Sequence, residues 1–197
     1  MEVVKKYFTN IHKCKVEVLR LIKEHPERKE IERLILGAGV IYVGGGNTLL
    51  MMKLWRKEGV DKLLKKAWRK GIVLSGLSAG ALCWFKYGNS DSLKVKGKRY
   101  QQIRVACLGF IPLMACPHYD LEKNRRPSLF KMLKNRDGTA IALDDRTAFE
   151  IVDNEYRILR DIPRANAYRV YRKGNKIVEE KIPAYGQWRK LITLMIS

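Results

Sequence analysis

The stretch Val40-Ile41-Tyr42-Val43-Gly44-Gly45-Gly46-Asn47-Thr48 decides the fold, because an apolar strand runs directly into a glycine-rich turn and then into a helix. Helices are predicted over residues 48–57 and about 61–70, followed by an apolar strand over residues 71–75. Apolar strands that alternate with helices are typical of a parallel sheet covered on both faces. We therefore predict an α/β fold with three layers, in which a mostly parallel sheet has helices on both faces.

The flanking segments extend this pattern in both directions. Upstream, hydrophobic periodicity predicts a helix over residues 3–11, a strand over 16–21, and a helix that begins at Pro26 and stops near Gly37. Downstream, a helix is expected over about 79–86 and a strand over 108–114. Four short strands, at 139–143, 148–152, 156–159 and 167–171, are predicted to form an antiparallel C-terminal extension of the same sheet, so that residues 1–197 form one domain.

Length and composition indicate an ordered protein. The chain has 197 residues, of which 46% are hydrophobic and 30% charged, enough to bury a core. It contains no apolar run of the roughly 18 residues that a membrane span needs, and its first residues do not resemble a secretory signal. The four cysteines show neither C-x-x-C pairs nor zinc spacing. We expect a cytoplasmic location, reduced core cysteines, and no metal, cofactor or membrane partner.

The charge is unusual: 40 Lys and Arg against 20 Asp and Glu give a net charge of +20. Basic residues concentrate at 62–70 and 94–99. In the first stretch, apolar residues recur at helical spacing, which favours the solvated face of an ordinary helix, and the second is expected to be a turn or loop. Because no nucleic-acid-binding motif accompanies these stretches, the charge predicts attraction to anions and not a nucleic-acid partner.

The pattern Gly76-Leu77-Ser78-Ala79-Gly80 follows a predicted strand and opens a predicted helix. In that context G-x-S-x-G forms a sharp turn that projects the serine hydroxyl above the sheet, next to a helix N-terminus that favours negative charge. Ser78 is therefore a candidate nucleophile. The alternative is an ordinary strand-to-helix turn built from small residues.

A second glycine turn, Gly44-Gly45-Gly46, also follows a strand and precedes a helix. It lacks the Lys-Ser/Thr of a P-loop and the spacing of a dinucleotide fingerprint, although a phosphate cradle or a close-packing turn remain alternatives. Its backbone amides could instead donate to an oxyanion beside Ser78. Both turns are predicted at carboxyl ends of strands, which meet at one crevice in such sheets.

A hydrolytic serine needs a base, and His118 is the histidine placed to supply it. His12 and His25 lie in the highly charged first segment, whereas His118 follows an apolar predicted strand. A base of this kind needs a carboxylate to orient it. Asp144 and Asp145, at the end of another predicted strand, and Asp91 are the candidates.

Three motifs in order resemble the peptidase E (aspartyl dipeptidase) family of serine peptidases, which includes cyanophycinase. They are Tyr42-Val43-Gly44-Gly45-Gly46-Asn47-Thr48, Gly76-Leu77-Ser78-Ala79-Gly80-Ala81 and Cys116-Pro117-His118-Tyr119, and the similarity runs over about residues 16–160. The resemblance implies a fold akin to class I glutamine amidotransferases. The resemblance further implies an additional first strand inside the sheet of relatives, which we expect to be missing from this sequence.

The resemblance also implies roles for individual residues. Ser78 would be the nucleophile and His118 the base; the acid would fall on Asp145, where relatives usually have glutamate, and Asp91 matches a family aspartate proposed for the relay. Gly45 and Ala79 would form the oxyanion hole, and the other residues of the glycine turn, Gly44, Gly46 and Asn47, would bind substrate. Arg125 or Arg126 would contact the aspartyl carboxylate of the substrate. The alternative for these two arginines is a solvated basic turn.

These expectations combine into a serine-type peptidase that hydrolyses short peptides, above all dipeptides with N-terminal aspartate, through an acyl-enzyme on Ser78. Two alternatives stay open. One is a cyanophycinase-like or other peptidase of the same fold, and the other is an inactive basic module that binds a polyanion. The expected partner is a small peptide substrate, and assembly into a homodimer is left open.

Overall fold

The computed structural model describes residues 6–93, 101–134, 136–184 and 186–195. Its helices are α1 (Arg28–Leu36), α2 (Thr48–Lys57), α3 (Val60–Arg69), α4 (Ala79–Leu82) and α5 (Arg125–Lys134), with a π-helix at Tyr7–Ile11 and a 3₁₀-helix at Leu191–Leu194. Its strands are β1 (Val40–Val43), β2 (Val73–Gly76), β3 (Phe85–Ser90), β4 (Ile103–Ala106), β5 (Ile111–Pro117), β6 (Thr139–Leu143), β7 (Thr147–Val152), β8 (Glu155–Arg160), β9 (Ala167–Lys173), β10 (Lys176–Ile182) and β11 (Arg189–Lys190).

The largest sheet has the order β10-β9-β6-β5-β3-β4. Only β3, β5 and β6 pair in parallel, whereas β4, β9 and β10 are antiparallel to their neighbours, so this sheet is mixed and the expectation of a mostly parallel sheet was wrong. β1 and β2 form a separate parallel pair. The predicted C-terminal strands divide as well: β6 and β9 join the large sheet, but β8 pairs with β7 and β11 in a third sheet.

The large sheet buries apolar side chains on both faces. Along β5, Leu113 and Ala115 belong to one buried cluster, while Met114 and Cys116 belong to another. This alternation follows from the strand geometry, in which successive side chains point to opposite faces. Helix α5 contributes to the second cluster through Leu129 and Leu133. A strand covered on both faces has an unbroken apolar sequence, which is why β5 and β6 were visible in the sequence.

Local chemistry sets several helix boundaries. Asn47 caps α2, because its side chain accepts a hydrogen bond from Leu50 N–H at 3.0 Å. Helix α1 ends at Leu36 with Gly37 as its C-cap, as predicted, but it begins at Arg28, so Pro26 lies before the helix and not in its first turn. Helix α3 buries Leu63 and Leu64 and directs its lysines to solvent, as its apolar spacing predicts.

Two predictions near the N-terminus differ from the structure. Residues 16–21 form no strand, because no described strand pairs with them and an isolated strand leaves its backbone N–H and C=O groups unsatisfied. In the predicted helix 3–11, the described part is the π-helix Tyr7–Ile11, while residues 3–5 lie outside the described residues. The basic stretch 94–99 also lies outside them.

Two further boundaries shift around the middle of the sheet. The helix expected over residues 79–86 is only the four-residue α4, because Phe85 already begins β3, which pairs on both sides. The strand expected over 108–114 begins at Ile111, since Gly109 adopts a positive φ of 75° in a turn just before it. Sequence patterns did not predict β4, α5 or β10.

Candidate active site

Ser78 lies at a sharp turn between β2 and α4. Its φ of 56° and ψ of −117° are strained for a residue with a side chain. Strain of this kind persists only where the surrounding structure enforces it, and it concentrates at functional sites. The backbone at Ser78 therefore has the conformation expected of a nucleophile elbow.

The two glycines of the elbow permit a close approach of backbone segments. A Cβ atom on Gly80 would lie 2.0 Å from the carbonyl oxygen of Val43, and one on Gly76 would lie 2.3 Å from the carbonyl oxygen of Gly80. Both distances are impossible for real side chains. The pattern G-x-S-x-G is thus required here by packing of the elbow against the end of β1.

The glycine turn after β1 lies directly beside Ser78. A Cβ atom on Gly45 would lie 3.4 Å from Ser78 Cβ and 3.9 Å from Ser78 Oγ. In the described structure Gly45 N–H donates to no protein acceptor, and Ala79, as the first residue of α4, has no intrahelical acceptor for its N–H. Around Gly45, Gly44 has open space and Gly46 has a φ of 153°. Two amide groups near Ser78 are therefore available to a developing oxyanion.

His118 is hydrogen-bonded to Asp145. Its Nδ1 lies 2.7 Å from Asp145 Oδ1, and both side chains are partly buried. The parallel register places Pro117 opposite Leu143, so the residues that follow β5 and β6 emerge side by side. His118 also has a positive φ, 135°, which is rare for a histidine. Of the three candidate acids, the structure pairs Asp145 with the histidine.

The loop that carries Asp145 is held by further hydrogen bonds. Asp145 N–H donates to Asp120 Oδ1 at 2.9 Å. The neighbouring Asp144 is buried, and its Oδ2 accepts from Asn166 N–H at 2.9 Å. Burial raises the pKa of the Asp144 carboxyl. Asp144 thus anchors the loop, while Asp145 faces the histidine.

Asp91 and Arg125 are associated with each other and not with His118. Arg125 is 2% exposed; its guanidinium donates to both oxygens of Glu122 and to the carbonyl oxygen of Asn89, and Asp91 lies 4.0 Å away. These contacts join the start of α5 to the end of β3. The guanidinium of Arg125 is therefore already engaged by the protein.

Arg126 is the more exposed of the two arginines, with 49% of its side chain accessible. It lies 4.8 Å from the ring centre of Tyr119, the residue after His118, and 3.3 Å from Glu179. Tyr119 donates a 2.5 Å hydrogen bond to Glu179, and burial together with this carboxylate raises the pKa of the Tyr119 hydroxyl. Arg126 is thus held next to the histidine loop with part of its guanidinium open to solvent.

The structure contains no direct hydrogen bond between Ser78 and His118. Among the described residues, neither Ser78 Oγ nor His118 Nε2 has a hydrogen-bond partner. Helix α4, which follows Ser78, nevertheless packs on β5, the strand that leads to His118. In enzymes without substrate the corresponding bonds are often long and shorten in the complex.

Asn47 has a structural role that its sequence position did not reveal. Besides capping α2, it donates from Nδ2 to the carbonyl oxygen of Ser92 at 2.9 Å, while Ser92 Oγ accepts from Leu49 N–H. These bonds tie the glycine turn to the segment after β3. The contributions of Asp120 and Glu179 were also missed: Asp120 stands two residues after His118, but Glu179 gave no sequence signal.

Comparisons with known proteins identify a family and a shared fold. The sequence model of peptidase family S51 matches residues 1–159. An uncharacterized peptidase of Bacillus subtilis, YgaJ, is 35% identical over 172 residues, which cover 86% of this chain and 71% of the relative. A peptidase from an acI-B1 actinobacterium has a similar fold, with a TM-score of 0.70 and 17% identity over 96% of this chain and 75% of its own. A protein described as a putative peptidase E of Listeria monocytogenes gives a TM-score of 0.55 at 19% identity, and the match covers 92% of this chain and 77% of that protein.

The fold is therefore that of the peptidase E type of α/β proteins, with a mixed sheet. The chain belongs to peptidase family S51, and the resemblance noted in its sequence is confirmed. By family membership it is a peptidase, that is, a hydrolase. In the portion that the structure covers, no helix has the length and apolar character required to traverse a bilayer.

Proposed function

We propose that this protein is a serine-type peptidase that hydrolyses dipeptides with N-terminal aspartate through an acyl-enzyme on Ser78. The observation that carries the proposal is the strained backbone of Ser78 beside the turn at Gly45. A hydroxyl at such an elbow, flanked by two available amides, suits attack on a peptide carbonyl. The His118–Asp145 pair supplies an oriented base after β5, the strand on which α4 packs.

The proposed reaction has two halves. Ser78 Oγ bonds to the peptide carbonyl carbon while its proton passes to His118 Nε2, and the oxyanion accepts hydrogen bonds from Gly45 and Ala79 N–H. His118 then returns the proton to the leaving amine as the C–N bond breaks. A water molecule then attacks the acyl carbon while His118 takes its proton; the bond between that carbon and Ser78 Oγ breaks, His118 returns the proton to Oγ, and the free aspartate leaves. For these reaction steps to occur, Ser78 Oγ must approach His118 Nε2 to about 3 Å when substrate binds.

Labelling with a fluorophosphonate, followed by mass-spectrometric location of the adduct, tests the nucleophile. We expect the adduct on Ser78, and we expect Ser78→Ala to lose both labelling and turnover of an Asp-Leu dipeptide. Ser75→Ala is the matched control, because Ser75 lies in the preceding strand and its hydroxyl donates to Ile41 O. Full turnover by Ser78→Ala would eliminate the serine mechanism.

We assign the recognition of the substrate carboxylate to Arg126, because its guanidinium is partly exposed next to the His118 loop, whereas that of Arg125 is buried in contacts with Glu122 and Asn89. Arg126→Gln should raise KM for Asp-Leu by about tenfold while leaving a neutral dipeptide such as Ala-Leu unaffected. Equal effects on both dipeptides would assign Arg126 to the loop's structure instead.

The cyanophycinase-like alternative differs from the proposed function in its substrate. Measuring hydrolysis of aspartyl, glutamyl and neutral dipeptides and of a branched aspartyl polymer distinguishes the two. The charge of +20 favours the other alternative, an inactive module that binds a polyanion. That function would show salt-sensitive binding without any fluorophosphonate adduct.

A further inference from the structure

A concave site lies under the C-terminal end of α5, at the opposite end of the large sheet from His118. It is a cavity of about 340 Å³ that reaches Pro112 and Thr139, at the start of β5 and β6. His118 follows the other end of β5, so a run of extended chain about 20 Å long separates it from Pro112. The cavity is therefore distinct from the candidate active site, and its volume falls in the range of small-molecule sites.

Three basic side chains line this cavity, and within the described part of the chain none of them has a carboxylate partner. Lys86, Arg104 and Arg136 line it, and none of them forms an ion pair among the described residues. The one acidic residue of the lining, Asp137, is itself paired with Arg172. The cavity thus carries an uncompensated positive charge.

Arg104 has the most unusual surroundings of the three basic residues. Its guanidinium lies over the ring of Tyr87, 3.6 Å from the ring centre, and its Nε is shielded from solvent without a hydrogen-bond partner. Burial lowers the pKa of Arg104, and the charge of Arg136 acts in the same direction. A buried donor without an acceptor is costly and rare in folded proteins, so a small shift of the Arg104 guanidinium that let a bound anion accept from Nε would be favourable.

Part of the remaining lining is apolar. Met114 and Met132 contribute to it, and methionine adapts its shape to irregular ligands. We propose that this cavity binds a small organic anion, whose phosphate or carboxylate group lies among Lys86, Arg104 and Arg136 and whose apolar part contacts Met114 and Met132. Arginine and lysine together suit either anionic group, and Arg104 adds a planar donor.

Isothermal titration of the whole protein with phenyl phosphate, benzoate and benzyl alcohol tests this proposal. The three probes share an aromatic body and differ in charge, so we expect saturable 1:1 binding of an anion and affinity for benzyl alcohol at least about tenfold weaker. The tighter of the two anions identifies the preferred group. Absence of saturable binding of both anions up to about 10 mM would refute the site.

Two kinds of variant locate the binding. Lys86→Gln combined with Arg136→Gln removes two exposed cations of the cavity and should weaken the binding of phenyl phosphate by at least about tenfold. Lys65→Gln combined with Arg69→Gln removes the same charge from α3 and should change the affinity less than about twofold. Equal weakening by both pairs would show nonspecific attraction to the +20 surface and would refute the proposal.

Met132→Trp fills the cavity without changing its charge and should also abolish binding, with circular dichroism as the check on folding. Unchanged affinity in this variant would place the anion elsewhere and overturn the assignment. Binding should persist in Ser78→Ala, because the cavity is remote from the elbow. Loss of binding there would place the anion in the catalytic crevice and likewise overturn the assignment, independently of whether the protein hydrolyses peptides.

Discussion

Positive φ angles mark both proposed reacting residues, Ser78 at 56° and His118 at 135°. Neither residue is glycine or asparagine, the types that tolerate such angles well. The cost of holding them is of order 1–3 kcal/mol each, which the surrounding packing must offset. Conformational strain is thus placed where the proposed chemistry needs exposed polar atoms with fixed positions.

Asp145 is the carboxylate that we expect to orient His118. Asp145→Asn removes the charge at the 2.7 Å contact and should lower kcat/KM for Asp-Leu by about 10²–10⁴-fold. Asp91→Asn is the matched control and should stay within about threefold of the wild type, because Asp91 lies near Arg125 and not near the histidine. The opposite ranking of the two variants would assign the relay to Asp91.

Asp144 should make stability depend on pH. Burial raises its pKa in the folded state, so as pH rises the unfolded chain ionises first, and stability falls until the native carboxyl has also ionised. Asp144→Asn removes this term and keeps an oxygen to accept from Asn166 N–H. We therefore expect the melting temperature of the variant, relative to the wild type, to be higher at pH 7 than at pH 4.

Asp161 provides a control of opposite sign. It is exposed, and its hydrogen bonds with Arg146 lower its pKa, so its contribution to stability is present at neutral pH and lost as pH falls. Because this loss occurs below the ordinary carboxyl pKa of about 4, Asp161→Asn should reduce the melting temperature more at pH 7 than at about pH 2.5. The same trend in both variants would contradict the assignment of Asp144 as a buried carboxyl.

At the scale of elements, the elbow depends on the contact between α4 and the end of β1. Gly80→Ala would place a Cβ atom 2.0 Å from Val43 O, which forces the two segments apart. We expect a loss of about 3 kcal/mol or more in the free energy of unfolding, measured by urea denaturation. In the control Gly39→Ala, just before β1, the added Cβ atom meets no atom within 4 Å. This variant should change the free energy of unfolding by less than about 1 kcal/mol.

At the scale of the whole molecule, the four cysteines differ in their exposure to solvent. Cys14 is exposed, while Cys83, Cys107 and Cys116 are buried. Burial raises the pKa of Cys107 and of Cys116 to about 12, so these thiols stay protonated at neutral pH.

Titration with a disulfide reagent at pH 8 should therefore find one fast-reacting thiol in the native protein and four in denaturant. Cys14→Ser should abolish the fast reaction. A second fast thiol in the native state would show that one of the buried clusters opens to solvent.

Sequence alone determined the features that depend on neighbouring residues. The strand at 40–43, the glycine turn and the elbow around Ser78 follow from short-range backbone requirements, which determine the residue types found there. The family and the candidate residues could be derived from those residue types.

Only the tertiary structure decided which acid meets His118, that residues 16–21 lack a strand partner, that β7 and β8 leave the main sheet, and that three cations share one cavity. Each of these depends on pairing between segments far apart in the chain, such as Pro117 with Leu143. Pairing of this kind is set by the packing of the whole core, in which a shift of one residue reverses every side chain, and no local pattern encodes it.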